Sequence, residues 1–278
     1  MMGIVDTTFL ISGCGSGIGR HLAQTLLHRG GKVLATDIDG AGAASCIEEA
    51  GASREHGDAM ALDVRQPDQW EAAVDRVTAK WQRLDVLINV AGVVRGRYLH
   101  EATPEDVDFH IDINTKGVMY GAMAAARVMV PQRSGHIVNV ASVAGLIPVP
   151  GISFYSASKF AVRGFGHAIA DELETHGVFV TTVCPNAVAT PMLDAEADQP
   201  ETMLSFSGTR ILSVEEVTTA IVERALNRRP REIILPGSMN LFARFATAFP
   251  ALAASLLPLF RRRGAETQAR YRDEMRRK

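Results

Sequence analysis

Cysteine is scarce. Cys14, Cys46 and Cys184 are the three in 278 residues; they lie far apart, without Cys-x-x-Cys spacing, which excludes a disulfide-stapled scaffold and leaves free thiols in a reducing cytosol as the expectation. The eight histidines show no ligand spacing, so no metal is expected, and His21, His28, His136 and His167 read as surface or core residues. Excess charge is also missing: a net charge of -2 gives no basis for nucleic acid as a partner. Met1 to Asp6 runs into a strand without a basic or long apolar lead, and no secretion signal is expected there. Internal repeats and low-complexity tracts are absent. A chain of this length can bury one large core, so a single domain over residues 1–237, with an extension over 238–278 and a small molecule as partner, is expected.

The residues that remain alternate between strand and helix patterns. Thr8 to Ser12 reads as a strand, followed by Gly13-Cys-Gly-Ser16-Gly17-Ile18-Gly19 and a helix carrying Leu22, Leu26 and Leu27. Strand, glycine loop and helix form a phosphate cradle, because glycines admit the backbone to a pyrophosphate that sits on the helix N-terminus. The spacing Gly13-x-x-x-Gly17-x-Gly19 is a variant of the usual one. Lys32 to Asp37 is a second strand whose terminal acid lies about twenty residues beyond that loop, where a dinucleotide's ribose hydroxyls are bound. The charge of Asp37 would repel a 2′-phosphate, and Ile38 and Asp39 supply no cation, which favours NAD over NADP. The competing reading makes Asp37 a solvated cap for the helix near Ala41.

Further strands are expected at Ala59 to Leu62, ending at Asp63 and Val64; at Leu84 to Val90, ending in Asn89-Val90-Ala91-Gly92; at His136 to Ala141; at Val178 to Cys184; and at Arg231 to Leu235. Asp63 is in position to reach an adenine amino group. Pro67 opens one helix, with Trp70, Val74 and Val77 on its inner face, and Thr103-Pro104-Glu105 opens a long one through Asn114 to about Val130. Residues 193–212 have no steady period and read either as a substrate lid or as a surface insertion. Ser213-Val-Glu-Glu216 is a capping box. This alternation calls for an α/β, Rossmann-like doubly wound parallel sheet, whose ligands bind at the carboxyl ends of the strands.

Ser142 to Lys159 carries the chemistry. Tyr155 and Lys159 are four apart on a helix that runs to about Glu174, so phenol and ammonium share a face. A nearby ammonium favours phenolate and draws an ordinary phenol toward the working pH range. Ser142 ends the preceding strand and can hold a carbonyl or alcohol oxygen against the phenol. Asn114 is polar in an otherwise apolar helix, where a bend could hold a water.

With these motifs in place, residues 6 to 236 resemble the short-chain dehydrogenase/reductase family. The carriers are Ser12-Gly13-x-x-x-Gly17-Ile18-Gly19, Asp63-Val64, Asn89-Val90-Ala91-Gly92, Asn114, Ser142, Tyr155-Ser-Ala-Ser-Lys159 and Pro185-Asn-Ala-Val188-Ala-Thr190. The resemblance implies seven strands, a homodimer or homotetramer, and a tetrad of Asn114, Ser142, Tyr155 and Lys159. It further implies cofactor contacts from the glycine loop, Asp37, Asp63, Val64, Asn89, Ala91, Gly92, Tyr155, Lys159, Pro185, Val188 and Thr190. Ser12, Val90 and Asn186 depart from its pattern; Asn186 replaces a common glycine and is expected to tolerate a left-handed backbone.

The activity so implied is NAD-dependent interconversion of a secondary or lipophilic alcohol, of retinoid or steroid character, and its carbonyl. The alternatives are a 3-oxoacyl-thioester reductase and a catalytically silent cofactor-binding sensor. Phe245 to Phe260 is sixteen residues long and interrupted by Pro250 and Pro258, short of the roughly twenty needed to span a bilayer. Arg261, Arg262, Arg263, Arg270, Arg272, Arg276, Arg277 and Lys278 follow. An apolar anchor with a basic flank suits an anionic membrane interface; packing on a neighbouring subunit, or roofing the substrate pocket, suits the same residues.

Overall fold

The computed structural model describes residues 3–276, so Met1, Met2, Arg277 and Lys278 lie outside the described residues. Seven strands form one parallel sheet in the order β3-β2-β1-β4-β5-β6-β7. They are β1 (Thr8–Ser12), β2 (Lys32–Asp37), β3 (Gly57–Ala61), β4 (Val86–Asn89), β5 (Gly135–Val140), β6 (Val178–Pro185) and β7 (Glu232–Leu235). β1 and β2 fall on their expected residues, and the other strand ends move by at most two residues. At β3, for example, Leu62 lies past the strand, although its N–H still donates to the Asp37 carbonyl at 2.7 Å.

Both faces of the sheet are covered, which is why the strands read as nearly continuous apolar runs. Phe9, Ile11, Val33, Ile88 and Val183 pack under α1 (Gly17–His28), α2 (Gly40–Glu49) and α8 (Val214–Ala220). Leu10, Leu34, Leu87, Ile137 and Val180 face the other way, onto α3 (Pro67–Trp81), α5 (Gly117–Gln132) and α6 (Ser153–Glu174). Alternate residues of β1 thus enter different cores, as a period of two requires. Ser12 pairs with Asn89 and Asn89 with Asn139, so β1, β4 and β5 end level. That common level creates one functional edge.

The long helix expected from Thr103 to Val130 is interrupted. α4 (Pro104–His110) passes through a π turn at Ile111–Lys116 into α5, and Asn114 sits in that turn. The capping box at Ser213 forms as expected, with Ser213 Oγ accepting from Glu216 N at 3.3 Å and Ser213 N donating to the Glu216 carboxylate at 3.0 Å. A second π turn, Ile221–Leu226, follows α8.

Residues 193–212 are largely helical: α7 (Pro191–Glu196) and a 3-10 segment, Pro200–Ser207, in which Thr202, Leu204 and Phe206 are buried. Their irregular apolar spacing reflects a 3-10 segment packed beneath another element. That element is the extension, which folds as α9 (Met239–Ala248), α10 (Pro250–Ser255) and α11 (Leu257–Met275). Gln268 on α11 donates to the carbonyls of Glu196 at 3.0 Å and Gln199 at 2.8 Å, and Tyr271 donates to Asp194 at 2.7 Å. Among the described residues no helix is long and apolar enough to cross a membrane.

Candidate active site

The sheet's carboxyl edge opens into a cleft of about 1230 Å³. At one end lies the glycine loop. Gly13 adopts φ +77°, and a Cβ there would meet Ala91 N at 2.8 Å, so the turn brings two strand ends into backbone contact only without a side chain. The Ser12 hydroxyl accepts from Val90 N at 3.2 Å and Ala91 N at 3.3 Å, so serine fulfils the tie between β1 and β4 at its departure from the family pattern. Ser16 makes no side-chain cap to α1. The first amides of that helix are therefore free of a side-chain partner and, with its dipole, suit an anion.

Asp37 accepts from Gly15 N at 2.8 Å and from Asp39 N at 3.0 Å. The helix cap at α2 is Asp39, whose Oδ1 accepts from Ala41 N at 3.1 Å, so the capping alternative for Asp37 is wrong. The nearby cation, Arg20, is committed: its guanidinium bonds the Gly15 and Gly42 carbonyls and Ser45, and pairs with Glu49 at 2.5 Å. Asp63 is held by a bidentate contact with Arg65, with Nη2 at 2.6 Å, which keeps its carboxyl below the usual range. Trp70 donates to the Val64 carbonyl at 3.0 Å and fixes this strand end.

Gly13, Ser16, Gly17, Ile18, Gly19, Asp37, Asp63, Val64, Ala91, Gly92, Ser142, Tyr155, Lys159, Pro185, Val188 and Thr190 all border the cleft. Asn89 does not. Its side chain is buried between β4 and β5, donating to Asn139 Oδ1 at 2.9 Å. An asparagine at a strand's last position looks the same in sequence whether it faces a cleft or a neighbouring strand. Asn114 is also withdrawn from the cleft: its amide donates to the Val93 carbonyl at 2.9 Å and Ser158 Oγ at 3.0 Å, and its Oδ1 accepts from Val93 N at 2.8 Å. Asn186 does not take the left-handed backbone. Its Nδ2 is a buried donor without a partner among the described residues, on the cleft wall.

Ser142 caps a 3-10 turn, Val143–Gly145, accepting from Ala144 N at 3.1 Å. Lys159 Nζ donates to the Val140 carbonyl at 3.1 Å and lies 5.6 Å from the Tyr155 ring centroid. The electrostatic balance differs from the sequence expectation. Loss of solvent raises the Tyr155 phenol above its ordinary value, opposed by a hydrogen bond with Ser142 and reinforced by the charge of Glu196. Burial also lowers Lys159 to about 8, so loss of solvent dominates both groups, and the phenol is protonated at neutral pH.

Glu196, at the end of α7, was not anticipated from the sequence. It is 6 % exposed, borders the cleft, and burial raises its carboxyl to about 7. One more acid in a polar segment carries no pattern that announces burial. The far wall comes from the extension, with Met239, Phe242, Ala246, Leu257 and Phe260 bordering the cleft. The inner face of these helices therefore lines the cleft.

Comparison with known proteins places these features in context. The profile of short chain dehydrogenases matches residues 7–201. The 3-oxoacyl-(acyl-carrier-protein) reductase FabG of Thermotoga maritima is 36% identical over 197 residues, covering 70% of this chain and 80% of its own. Oxidoreductase UcpA of Salmonella typhimurium is 36% identical over 209 residues, covering 73% and 79%. Among solved structures, a short chain dehydrogenase/reductase from Burkholderia phymatum in complex with NAD superposes with TM-score 0.82 at 28% identity, over 91% of this chain and 97% of its own. A profile match over most of the chain, on a sheet whose strand ends converge on Ser142, Tyr155 and Lys159, makes this protein a member of the short-chain dehydrogenase family of oxidoreductases.

Proposed function

We propose that this protein interconverts a lipophilic secondary alcohol and its ketone with NAD(H). One observation carries the reading: Ser142, Tyr155 and Lys159 meet in a cleft whose remaining wall is an apolar roof supplied by α9 to α11. The glycine loop and the free amides at the start of α1 fit a dinucleotide pyrophosphate. Asp37 fits the adenosine ribose, and the two nearby cations among the described residues are engaged, Arg20 with Glu49 and Arg65 with Asp63, which supports NAD over NADP. Asp63 and Val64 would border the adenine, Ala91 and Gly92 the nearer ribose, and Pro185, Val188 and Thr190 the nicotinamide end. When bound, the nicotinamide supplies or accepts the hydride.

Within this reading the Ser142 hydroxyl holds the substrate oxygen and the Tyr155 hydroxyl transfers its proton, giving it in reduction and, as phenolate, taking it in oxidation. Lys159 stabilises the phenolate and would hold the nicotinamide ribose. Asn114 acts by position, pinning Val93 and Ser158 beside Lys159. A water relay there could use the backbone of the π turn or the remaining lone pair of Oδ1, because both N–H groups of the side-chain amide are engaged.

A second reading, reduction of a 3-oxoacyl thioester, is favoured by the protonated state of Tyr155 and by the names of several curated relatives. The roof counts against it, since a long thioester arm must pass residues that close the cleft. We further propose a cytoplasmic homodimer or homotetramer that touches anionic membrane through the roof's outer face. There Leu241, Phe249, Leu252 and Leu259 are more than half exposed, and the exposed Arg261 and Arg262 follow in sequence, whereas Arg263 turns to the cleft and donates to the Thr209 carbonyl. The test is steady-state turnover of secondary alcohols, retinoids, steroids and 3-oxoacyl thioesters with both cofactors. Lipophilic alcohols with NAD should give the highest efficiency. Faster thioester reduction would install the second reading, and turnover of none, with NAD still bound, would leave a silent sensor.

A further inference from the structure

We propose that Glu196 selects substrates that carry a second hydrogen-bond donor, a hydroxyl or an ammonium group, away from the reacting carbon. This deepens the proposed function and rests on it for the identity of the cleft. Glu196 is buried yet lies on the cleft wall, beside the apolar Leu193 and Leu204. Its position is fixed through the backbone: the Glu196 carbonyl accepts from Thr202 Oγ1 at 2.7 Å and from Gln268 Nε2 at 3.0 Å. Only Oε2 of the carboxyl is bonded among the described residues, by Ser205 Oγ at 2.7 Å, and no ion pair reaches it.

The chain's structural carboxylates are treated differently. Asp58 is paired with Arg76 and Lys80, and Asp106 with Arg95 and Arg97. The other oxygen, Oε1, is not sealed in the interior, so water or a ligand in the cleft must supply its donor. Held by its backbone from α7 and α11 and turned to the cleft, Glu196 has its remaining oxygen where a ligand can complete it. Glu196 and Tyr155 border the same cleft, so a single ligand can present its reacting oxygen to one and a donor to the other. Sites that bond a donor discriminate against analogues that lack it.

The test is calorimetric binding, without cofactor, of matched six-, eight- and ten-carbon ligands: the plain 2-alkanol, the same alcohol with a terminal hydroxyl, and the same alcohol with a terminal amine. At pH 8 at least one length of hydroxyl or amino ligand should bind about tenfold or more tightly than the plain alcohol, the ratio expected for one hydrogen bond to a charged group. That ratio should fall to about one in Glu196→Ala. If the alanine variant does not fold, Glu196→Gln retains an acceptor for Ser205 and should abolish the preference for the amine. No preference at any length, or a preference that survives both substitutions, overturns the proposal. Turnover of the plain alcohols with NAD is scored separately: turnover without preference removes this inference alone, and preference without turnover removes the proposed function alone.

Discussion

Glu196 makes stability depend on pH in a direction opposite to that of a paired carboxylate. Burial raises its carboxyl from 4.5 to about 7. A folded-state value above the unfolded one means that the group's contribution is complete below the unfolded value, near pH 4.5, and is lost as pH rises through about 7. At about 1.4 kcal/mol per pH unit of displacement, the loss reaches about 3 kcal/mol by pH 8. Glu196→Gln removes the titration while keeping an acceptor for Ser205. Urea denaturation followed by tryptophan fluorescence, on both proteins at pH 5 and pH 8, isolates this group because every other titration is common to the pair. The variant's stability relative to the parent should improve by about 2.5 kcal/mol between the two pH values, since part of the loss has already occurred at pH 5. A relative stability constant to within about 0.5 kcal/mol, the usual effect of a surface substitution, would refute the reasoning.

The remaining predictions concern the reacting groups and the roof. Tyr155→Phe should fold and bind NAD but lose about a hundredfold or more in kcat; residual turnover above a tenth of the parent's would remove Tyr155 from the chemistry. Asp37→Ala should narrow the preference for NAD(H) over NADP(H) in kcat/KM, and a parent that prefers NADPH would show that Asp37 has been misread. Gly145→Ala places a Cβ 2.6 Å from the Lys159 carbonyl, so the Ser142 turn must lift from α6 and kcat should fall by about tenfold or more, as misplacement of a reacting group by a fraction of an ångström does; unchanged kcat in a folded variant would show that the turn yields without moving Ser142. In flotation with anionic liposomes the full chain should rise with the vesicles, less so in high salt. Arg261→Glu with Arg262→Glu should abolish this, whereas equal flotation of both proteins would rule out a basic contact.

The sheet was legible because its signals are local. An apolar run between glycines says strand wherever it sits, and β1 and β2 fall on their expected residues, Thr8–Ser12 and Lys32–Asp37. The glycine loop and the Tyr155-Lys159 pair are read the same way, from spacing alone. What stayed hidden depends on partners distant in sequence. Residues 193–212 lack a period because their buried side, at Thr202, Leu204 and Phe206, is covered by α11, some sixty residues later. The extension shows the same problem from the other side: sequence supplied an apolar stretch and a basic flank, and only the fold separates the residues that roof the cleft from those left outside. Asn89 and Asn114 were recognised as site positions, but their side chains serve the frame, and spacing does not say which way an amide turns.

The acid–base groups give the last example of competing effects. One helical turn between Tyr155 and Lys159 implies attraction that favours phenolate, and on that term alone the site would be built for oxidation. The structure adds the cost of withdrawing both groups from water: burial holds the phenol protonated and brings the lysine down to about 8. At pH 7 the pair is therefore a neutral phenol beside a mostly charged ammonium, the protonation state from which a carbonyl oxygen receives a proton. Oxidation needs the phenolate, and raising the pH to form it begins to discharge the ammonium that stabilises it. Glu196 pushes in the same sense, since its carboxylate raises the phenol further, and a ligand donor that neutralised Glu196 would relieve that pressure. Alcohol oxidation, which needs the phenolate, should therefore speed up as pH rises above neutrality, and a flat pH profile of kcat would remove the phenol from the proton transfer.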